Sequence, residues 1–209
     1  MFKGNEILLA TRNSDKALEL KALLHEYEIE GIALNDLDPQ NSIPDVEEIG
    51  STLQENAFIK ARKIFSVTGR PTIADDTGLE VDILGGAPGV FSARYAGKGC
   101  SYEDNVKKLL SELSDTPAKH RTARFRTVAC YVDGDQELWT EGVVEGVITE
   151  KPIGDYGFGY DPVFYIPECE KTYAQLSHEE KNKWSHRGKA MRKLVALLYQ
   201  DFVPTEHSF

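Results

Sequence analysis

Short apolar segments alternate with amphipathic helical patterns early in the chain, and a long hairpin pattern follows later. Residues 5–10 (NEILLA) indicate a buried strand, and the polar turn TRNSDK separates it from a predicted helix. Residues 29–34 predict a second strand, and overlapping capping-box patterns begin a second long helix at 51–68. Residues 122–132 and 137–149 alternate around a DGD turn, as β-hairpins do. Strand–helix units followed by a hairpin predict an α/β protein with a mixed sheet.

The segment 72–83 (TIADDTGLEVDI) is predicted as strand, tight turn and strand, with the turn at Gly78. The other predicted elements are a loop at 35–50, a glycine-rich loop at 84–99, a helix from Ser101 to Leu113, a glycine-rich loop at 154–161 and a last helix from about Ser185 to Tyr199.

Bulk composition excludes several classes of protein. The 209 residues are 41% hydrophobic, enough for one domain or one domain with two lobes. No apolar run approaches the ~18 residues that span a bilayer, and the first ten residues lack the regions of a signal peptide, so we expect a cytoplasmic protein. Three widely spaced cysteines disfavour a zinc site or a disulfide framework. A net charge of −10 disfavours binding to nucleic acid or anionic membranes, but it permits a small anionic substrate.

The turn at 11–16 (TRNSDK) joins a predicted strand to a helix N-terminus. Free N–H groups and the positive end of the helix dipole favour anions there. Thr11, Asn13 and Ser14 add donors, and Lys16 adds a charge that opposes the dipole and so does little for stability. An ordinary capped helix with a surface lysine is the alternative. The P-loop pattern is absent.

Two adjacent carboxylates, Asp75 and Asp76, end the apolar run at 72–74. They repel each other unless a cation lies near, and in an extended strand they point to opposite faces. The predicted turn at Gly78 lets one reach a ligand while the other braces it. Mg²⁺ usually takes one or two protein carboxylates plus phosphate oxygens and waters. The pair therefore indicates a magnesium site, and an Asx turn is the alternative.

Further polar groups lie near the start of the second long helix. Glu47 and Glu48 precede it, and Glu55 lies in its first turn, where an acidic residue is stabilising without any ligand. Asn56 and Lys60 lie four residues apart on one flank of this helix. They face either the same cleft as the aspartates or solvent.

Two later segments also contain candidate site residues. In GFGYDP, at 157–162, the glycines permit close approach to a ligand, the aromatic residues offer a stacking face and the aspartate is an acceptor. Taken alone, this pattern favours a loop whose aromatic residues fill the core. Lys181 and SHRG at 185–188 indicate either a second phosphate or base contact, or a capped helix with surface cations.

Five segments, ILLATRNSDKALEL, QENAFIKA, IADDTGLEVDILGGAPGVFSARYAG, GFGYDPVF and SHRGKAM, occur in this order. Together they resemble the non-canonical purine nucleoside-triphosphate pyrophosphatases, the inosine/xanthosine-triphosphate pyrophosphatase family, over nearly the whole chain. The resemblance implies one domain over residues 1–209, with a long twisted mixed sheet, flanking helices and two lobes around a central cleft. It also implies Mg²⁺, a homodimer, and cleavage of ITP, dITP or XTP to the monophosphate and pyrophosphate.

The resemblance also assigns residues. It implies Asp76 as catalytic base and metal ligand, Asp75 as its catalytic partner and Glu48 as the other metal ligand. Arg12 stands where many members of the family carry glycine. The substrate contacts that it implies are Thr11, Arg12, Asn13, Ser14, Asp15, Lys16, Lys60, Thr77, Phe158, Gly159, Tyr160, Asp161, Lys181, His186 and Arg187.

The expected chemistry is attack of water on the α-phosphorus, with Asp76 as base and with the metal and lysines offsetting charge. A 6-oxo purine presents an acceptor where adenine presents a donor, so Arg187 or backbone N–H groups are predicted to distinguish them. Three alternatives remain open. They are a nucleotide-binding regulator, which has no need of the acidic trio, a pyrophosphatase for modified pyrimidines or methylated bases, and a nucleic-acid-processing enzyme, which the net charge disfavours.

Overall fold

The part of the chain that the computed structural model describes, residues 5–200, contains eight strands in one sheet. The strands are β1 (Glu6–Leu9), β2 (Glu30–Ala33), β3 (Thr72–Val81), β4 (Pro88–Gly89), β5 (Thr122–Val132), β6 (Glu137–Ile148), β7 (Phe164–Ile166) and β8 (Lys171–Thr172). Their order is β2-β1-β3-β5-β6-β7-β8, with β4 paired to the end of β3. Because β1 is parallel to β2 and β3 while the other pairs are antiparallel, the sheet is mixed, as predicted.

Helices flank this sheet, and local capping explains where the long ones begin. The helices are α1 (Ser14–His25), α2 (Leu34–Leu37), α3 (Leu53–Thr68), α4 (Tyr102–Glu112), α5 (His178–Trp184) and α6 (His186–Gln200). The Asn13 side chain accepts from the third residue of its helix, and Thr52 does the same for α3, as N-caps do. Gly69 ends α3 with φ 65°, a left-handed conformation that glycine adopts without strain.

Helices pack on both faces of the sheet. Ile7 and Leu9 belong to an apolar cluster with residues of α1 and α6. Leu8 and Ala10 belong instead to a cluster with residues of α3. Successive residues of a strand point to opposite faces, so β1 contributes alternately to the two clusters. This explains why residues 7–10 form a continuous apolar run.

A third apolar cluster lies farther along the sheet. It joins the end of β3, at Leu79 and Val81, to Phe125 of β5 and to Val106 and Leu109 of α4. Burying one such side chain contributes roughly 1.5–3 kcal/mol. This cluster holds α4 and the following hairpin in place beside the end of β3.

The predicted turn at Gly78 is wrong, because β3 continues from Thr72 to Val81 without a break. Gly78 pairs with Arg126 of β5 in the regular register. The reason for glycine here is space, since a Cβ atom would lie 2.8 Å from the carbonyl oxygen of Gly89. Glycine in a strand often marks such a close approach of two backbones.

No helix within residues 5–200 is long and apolar enough to cross a membrane. The predicted single domain includes residues 1–4 and 201–209, which lie outside the described residues.

Candidate active site

One stretch of β3 has a neighbouring strand on only one side among the described residues. β1 pairs with β3 as far as Ile73, and β4 pairs with it at Leu79 and Glu80. Between these points, residues 75–77 pair with β5 alone. Ligands in α/β sheets commonly bind beyond the carboxyl ends of parallel strands. The opening beside residues 75–77 therefore has the position that ligand sites commonly take in such sheets.

Asp76 lies on the face of β3 that carries α3. Its Oδ1 accepts a hydrogen bond from Nζ of Lys60 at 3.1 Å. The same ammonium group donates to Glu48 Oε1 at 2.8 Å. Glu48 lies in the loop before α3, so Lys60 joins that loop to the strand between two carboxylates.

Asp75 meets a different set of cations, because adjacent residues of a continuous strand point to opposite faces. Its Oδ2 accepts from Nε and Nη2 of Arg187, both at 3.1 Å, and lies 3.5 Å from Nζ of Lys16. Arg187 and Lys16 lie in the first turns of α6 and α1. Arg187 also donates to Thr77 Oγ1 at 3.2 Å. Asp75 therefore ties the beginnings of two helices to the strand.

The contacts of Asp75 continue into a buried chain of alternating charges. Glu19 of α1 accepts from Arg187 through one oxygen and lies 2.6 Å from Lys181 Nζ through the other. Lys181, on α5, also binds Asp161. All five side chains are at most 5% exposed. Buried charges are tolerated only when each has an opposite partner, and the order Asp161, Lys181, Glu19, Arg187, Asp75 satisfies this.

The surroundings drive the pKa values of the two adjacent aspartates apart. Burial alone disfavours the charged form of Asp75, but Lys16 and Arg187 outweigh it and hold the pKa of Asp75 far below its ordinary range. For Asp76, burial raises the pKa above its ordinary value of 3.8, and the attraction of Lys60 offsets this only in part. Carboxylate pairs with opposite pKa shifts are typical of acid–base sites.

Aromatic side chains lie at the other end of the opening. Lys181 Nζ is 4.5 Å from the centroid of the Phe158 ring, and the guanidinium carbon of Arg187 is 5.8 Å from it. His186 stacks on Phe125 with ring centroids 4.6 Å apart. Burial and the neighbouring cations hold the pKa of His186 well below its ordinary value, so the imidazole is neutral. This end offers flat apolar surfaces beside cations, which suits a heterocyclic ring.

Two threonines connect His186 with Asp75. Thr127 Oγ1 lies 2.6 Å from Thr77 Oγ1 and 2.6 Å from His186 Nδ1. Thr77 Oγ1 is in turn 3.2 Å from Asp75 Oδ2. Because Thr127 is fully buried, these bonds hold the imidazole and the strand in one relative position.

Phe158 and Tyr160 of the glycine-rich loop at 154–161 are placed differently. Tyr160 is buried in the third apolar cluster, and its hydroxyl donates to the carbonyl oxygen of Ser92 at 2.9 Å. Asp161 accepts from the backbone N–H of Phe158 at 2.8 Å, which fixes the loop between them. Phe158 is half-buried at the mouth of the cavity, whereas Tyr160 mainly supports it.

The turn before α1 is organised around Asn13. Its Oδ1 accepts from the backbone N–H of Lys16 at 3.0 Å, and its Nδ2 donates to the hydroxyl of Tyr102 at 2.7 Å. Thr11 Oγ1 accepts from the backbone N–H of Asn13 at 3.2 Å. The side chain of Lys16 is 20% exposed, so it is accessible from the opening.

Arg12 points away from this turn toward the 35–45 loop. Its Nη2 donates to Asp38 Oδ2 at 2.7 Å and to the carbonyl oxygen of Ile43 at 2.9 Å. Asp38 also accepts from the backbone N–H of Ile43 at 2.8 Å. Arg12 thus orders a loop that glycine at this position cannot hold.

Among the acidic candidates Glu47, Glu48 and Glu55, only Glu48 is linked to Asp76 within the described residues, through the shared contact with Lys60. Glu55 accepts from the backbone N–H of Ser51 at 2.7 Å, so it serves the start of α3. Glu47 is exposed. Asn56 is fully buried, and its Oδ1 accepts from the backbone N–H of Gly50 at 2.8 Å, which helps to shape the loop that carries Glu48.

Two adjoining cavities collect most of the predicted residues, and Ser14 and Asp15 are not among those that line either one. Asn13, Lys16 and Glu48 line both. The first cavity is also lined by Asp76, Thr77, Phe158, Gly159, Tyr160, Asp161, Lys181, His186 and Arg187. The second is also lined by Thr11, Arg12, Lys60 and Asp75.

Several residues at this site were not predicted, among them Glu19, Thr127 and Tyr102. Glu19 follows Lys16 by three residues on the inward face of α1, so an acid at core spacing was a signal. Thr127 is the polar member of an alternating face of β5, which is a weaker signal. Tyr102 reaches the site only through tertiary structure, and its local sequence contains no sign of this.

Asp76 and Glu48 fit a magnesium ion. Asp76 Oδ2 is buried and has no hydrogen-bond partner among the described residues, a costly state unless a ligand takes it up. No group of three or more His, Cys, Asp or Glu side chains in the described part of the chain could hold a metal ion. Mg²⁺ commonly takes one or two carboxylates and completes its shell with phosphate oxygens and water. The donor set therefore suits Mg²⁺ that binds together with a polyphosphate.

Comparison with known proteins finds relatives that match this chain over more than 90% of its length. A dITP/XTP pyrophosphatase of Bacillus licheniformis is 49% identical over 196 residues, covering 93% of this chain and 98% of the relative. A HAM1 protein of Coxiella burnetii has a similar structure, with a TM-score of 0.81 and 43% identity over 93% of this chain and 98% of that one. The Staphylococcus aureus Ham1 protein gives a TM-score of 0.80 and 41% identity over 94% and 99%. The Ham1 family model matches residues 7–197, and the chain belongs to the Ham1 family.

Proposed function

We propose that this chain is a nucleoside-triphosphate pyrophosphatase that hydrolyses non-canonical purine nucleotides to the monophosphate and pyrophosphate. The substrates are XTP, ITP and dITP, and the reaction removes them from the nucleotide pool. The dITP/XTP pyrophosphatase of Bacillus licheniformis, at 49% identity, supports this activity. Hydrolysis at the α-phosphorus makes the enzyme a hydrolase of acid anhydrides.

One observation carries the proposal: the two adjoining cavities offer complementary chemistry. The first has an aromatic surface, a neutral imidazole and buried cations, which suit a purine nucleoside. The second has Lys16 and Lys60, which suit a chain of phosphates. Asp76 lines the first cavity and contacts Lys60 of the second, so we expect the phosphate adjacent to the nucleoside to bind beside it.

The residues then divide the work. A water molecule attacks the α-phosphorus, forming a new P–O bond, and the bond to the bridging oxygen breaks as pyrophosphate leaves. Asp76 orients this water and accepts its proton. Lys16 and Lys60 offset the negative charge that otherwise repels the nucleophile. Asp75 stays ionised and keeps Lys16 and Arg187 in place.

We propose that Asp76 and Glu48 hold Mg²⁺ when the nucleotide binds, with Lys60 yielding part of its contacts. When bound, the metal supplies charge neutralisation at the phosphate oxygens.

We further propose that the chain forms a homodimer and that two lobes flank the cleft. We also propose a cytoplasmic location, which suits an enzyme that acts on free nucleotides.

We propose that Arg187 recognises the 6-oxo group of the purine. Its Nε and Nη2 donate to Asp75 and Thr77, and Nη1 donates to Glu19. A guanidinium has five N–H donors, so one N–H of Nη1 remains for a base oxygen. The same contacts make Arg187 a structural residue, so its removal is expected to affect folding as well as selectivity.

A substrate panel with direct detection of pyrophosphate tests the proposal. XTP, ITP and dITP are expected to yield pyrophosphate. For ATP, kcat/KM is expected to be lower by a factor of about 100 or more, because the 6-amino group of adenine is a donor and leaves buried donors of the site unpaired. Release of orthophosphate, or equal rates on ATP, would contradict the proposal. Binding without turnover would support a regulator, and preference for modified pyrimidines would support that alternative.

A further inference from the structure

Tyr102 brings an additional segment of the chain to the candidate active site. It is the first residue of α4, a helix that contributes none of the predicted site residues. Its side chain is 41% exposed and lines the same cavity as Phe158 and Arg187. It is therefore accessible to a ligand in that cavity.

The Tyr102 side chain touches two segments that are far apart in the sequence. Its hydroxyl accepts from Nδ2 of Asn13 at 2.7 Å, across 89 residues, and lies 3.5 Å from Asp15 Oδ2. Its ring lies 5.7 Å from the Phe158 ring, centroid to centroid, with the planes inclined by 42°. One side chain thus joins the turn proposed for phosphate to the loop proposed for the base.

The contact with Asn13 fixes an amide from both sides. Asn13 Oδ1 accepts from the backbone N–H of Lys16, while Nδ2 donates to Tyr102. An amide held at both ends has one orientation, and one N–H of Nδ2 remains for a ligand. The hydroxyl of Tyr102 therefore determines where that N–H points.

Helix capping does not account for a tyrosine at this position. Ser101 accepts from the backbone N–H of Asp104, and Asp104 accepts from the backbone N–H of Ser101. This reciprocal capping box starts α4 without any contribution from the Tyr102 side chain. The contacts of that side chain belong to the cavity.

We propose that Tyr102 is a further nucleotide-binding residue of this enzyme, a role that rests on the proposed function. Its ring flanks the purine beside Phe158, and its hydroxyl orients Asn13 toward the sugar and phosphates. Tyrosine suits this place because it supplies rigid, amphipathic contact area at little conformational cost. Because stacking depends little on the identity of the base, Tyr102 contributes affinity and not selectivity.

Steady-state kinetics of Tyr102→Phe and Tyr102→Leu with XTP and ITP separate the hydroxyl from the ring. Tyr102→Phe is expected to raise KM about two- to ten-fold, the range of one hydrogen bond, and Tyr102→Leu to raise it further. In both variants kcat is expected to stay within about two-fold, because the lost contact is uniform binding. The control is Trp139→Leu, at a side chain 45% exposed that does not line this cavity, and its KM is expected to be unchanged.

Three results would overturn the inference while leaving the proposed function intact. The first is wild-type KM in both Tyr102 variants, and the second is a lower kcat at unchanged KM. The third is a fall in melting temperature that accounts for the whole loss, which would make Tyr102 a structural residue. If the wild-type chain releases no pyrophosphate from any purine triphosphate, the proposed function fails and this inference fails with it.

Discussion

Glu19 holds two cations of the candidate active site at once. One of its oxygens binds Lys181 and the other binds Arg187, and the side chain is buried. Without it, among the described residues Lys181 keeps only Asp161, and Arg187 keeps only Asp75, which it shares with Lys16. Removing one member of a buried ion pair costs more than the pair itself contributes, because the other member is left uncompensated.

We predict that Glu19→Gln lowers the free energy of unfolding by about 3–5 kcal/mol, measured by denaturant titration at neutral pH. Glu6→Gln is the matched control, since Glu6 pairs with Arg70 at 2.8 Å and is 54% exposed. Exposed pairs contribute only ~0–1 kcal/mol. Equal losses in the two variants would show that Glu19 is not the electrostatic link described here.

The same residue makes stability depend on pH. Burial raises the pKa of Glu19, but Arg187 and Lys181 outweigh this and lower the pKa below its ordinary 4.5. A carboxylate with a lowered folded-state pKa contributes stability that is present above 4.5 and is lost as the pH falls below it. The difference in unfolding free energy between wild type and Glu19→Gln is therefore expected to shrink below pH 4.5. A difference that is constant with pH would argue against this.

Single residues differed in how well the sequence predicted them. Asp75 and Asp76 were identified because adjacent carboxylates after an apolar run require a cation, and cations do meet each of them. Glu19 was missed because an acid within a helix normally indicates a solvated face. The prediction of Arg12 at the substrate remains a prediction: the residue lines the second cavity, but its pairing with Asp38 in the neighbouring loop could not be foreseen from local sequence.

At the scale of secondary-structure elements, strand β3 organises the site, and Gly78 lets it pass close to β4. We predict that Gly78→Ala destabilises the chain by about 1–3 kcal/mol, because the new Cβ would meet a backbone carbonyl at 2.8 Å. Gly31→Ala is the control, since its Cβ would meet only side-chain atoms, at 3.1 Å and beyond. Thermal unfolding of both variants checks this, and equal melting temperatures would contradict the crowding described here.

Elements with a clear period were predictable from the sequence. The hairpin of β5 and β6 agrees with its prediction to within one residue. Apolar and polar residues alternate along both strands, and the DGD turn separates them. Helix α5 was missed because HEEKNKW has no apolar stripe, and its start depends on a capping box at Ser177. Strands β7 and β8 have three and two residues, too few for any period to show.

At the scale of the whole molecule, the site is assembled from separate elements that the sheet brings together. Helix α1 contributes two charged partners, helices α3, α5 and α6 contribute one each, and β3 contributes the two adjacent carboxylates. Side chains on rigid elements keep their geometry better than side chains on loops. The order of the strands determines this arrangement, and local sequence patterns carry little information about strand order.

We predict that excess EDTA abolishes pyrophosphatase activity but leaves the melting temperature nearly unchanged. Lys60 already lies between Asp76 and Glu48, so the folded state has a cation at this place before any metal binds. Activity assays and thermal unfolding, each with and without added Mg²⁺, make the comparison. Full activity in EDTA would remove the metal from the proposal, and unfolding in EDTA would assign it a structural role.

The central claim is that Asp76 is the base of a pyrophosphatase, and kcat of Asp76→Asn for XTP tests it most directly. The amide keeps the shape of the side chain but cannot accept a proton from water. The account predicts that kcat falls by about 100- to 10,000-fold while the melting temperature stays at or above that of the wild type, since burial already disfavours the charged form. A kcat within about ten-fold of the wild type, in a folded variant, would contradict the account.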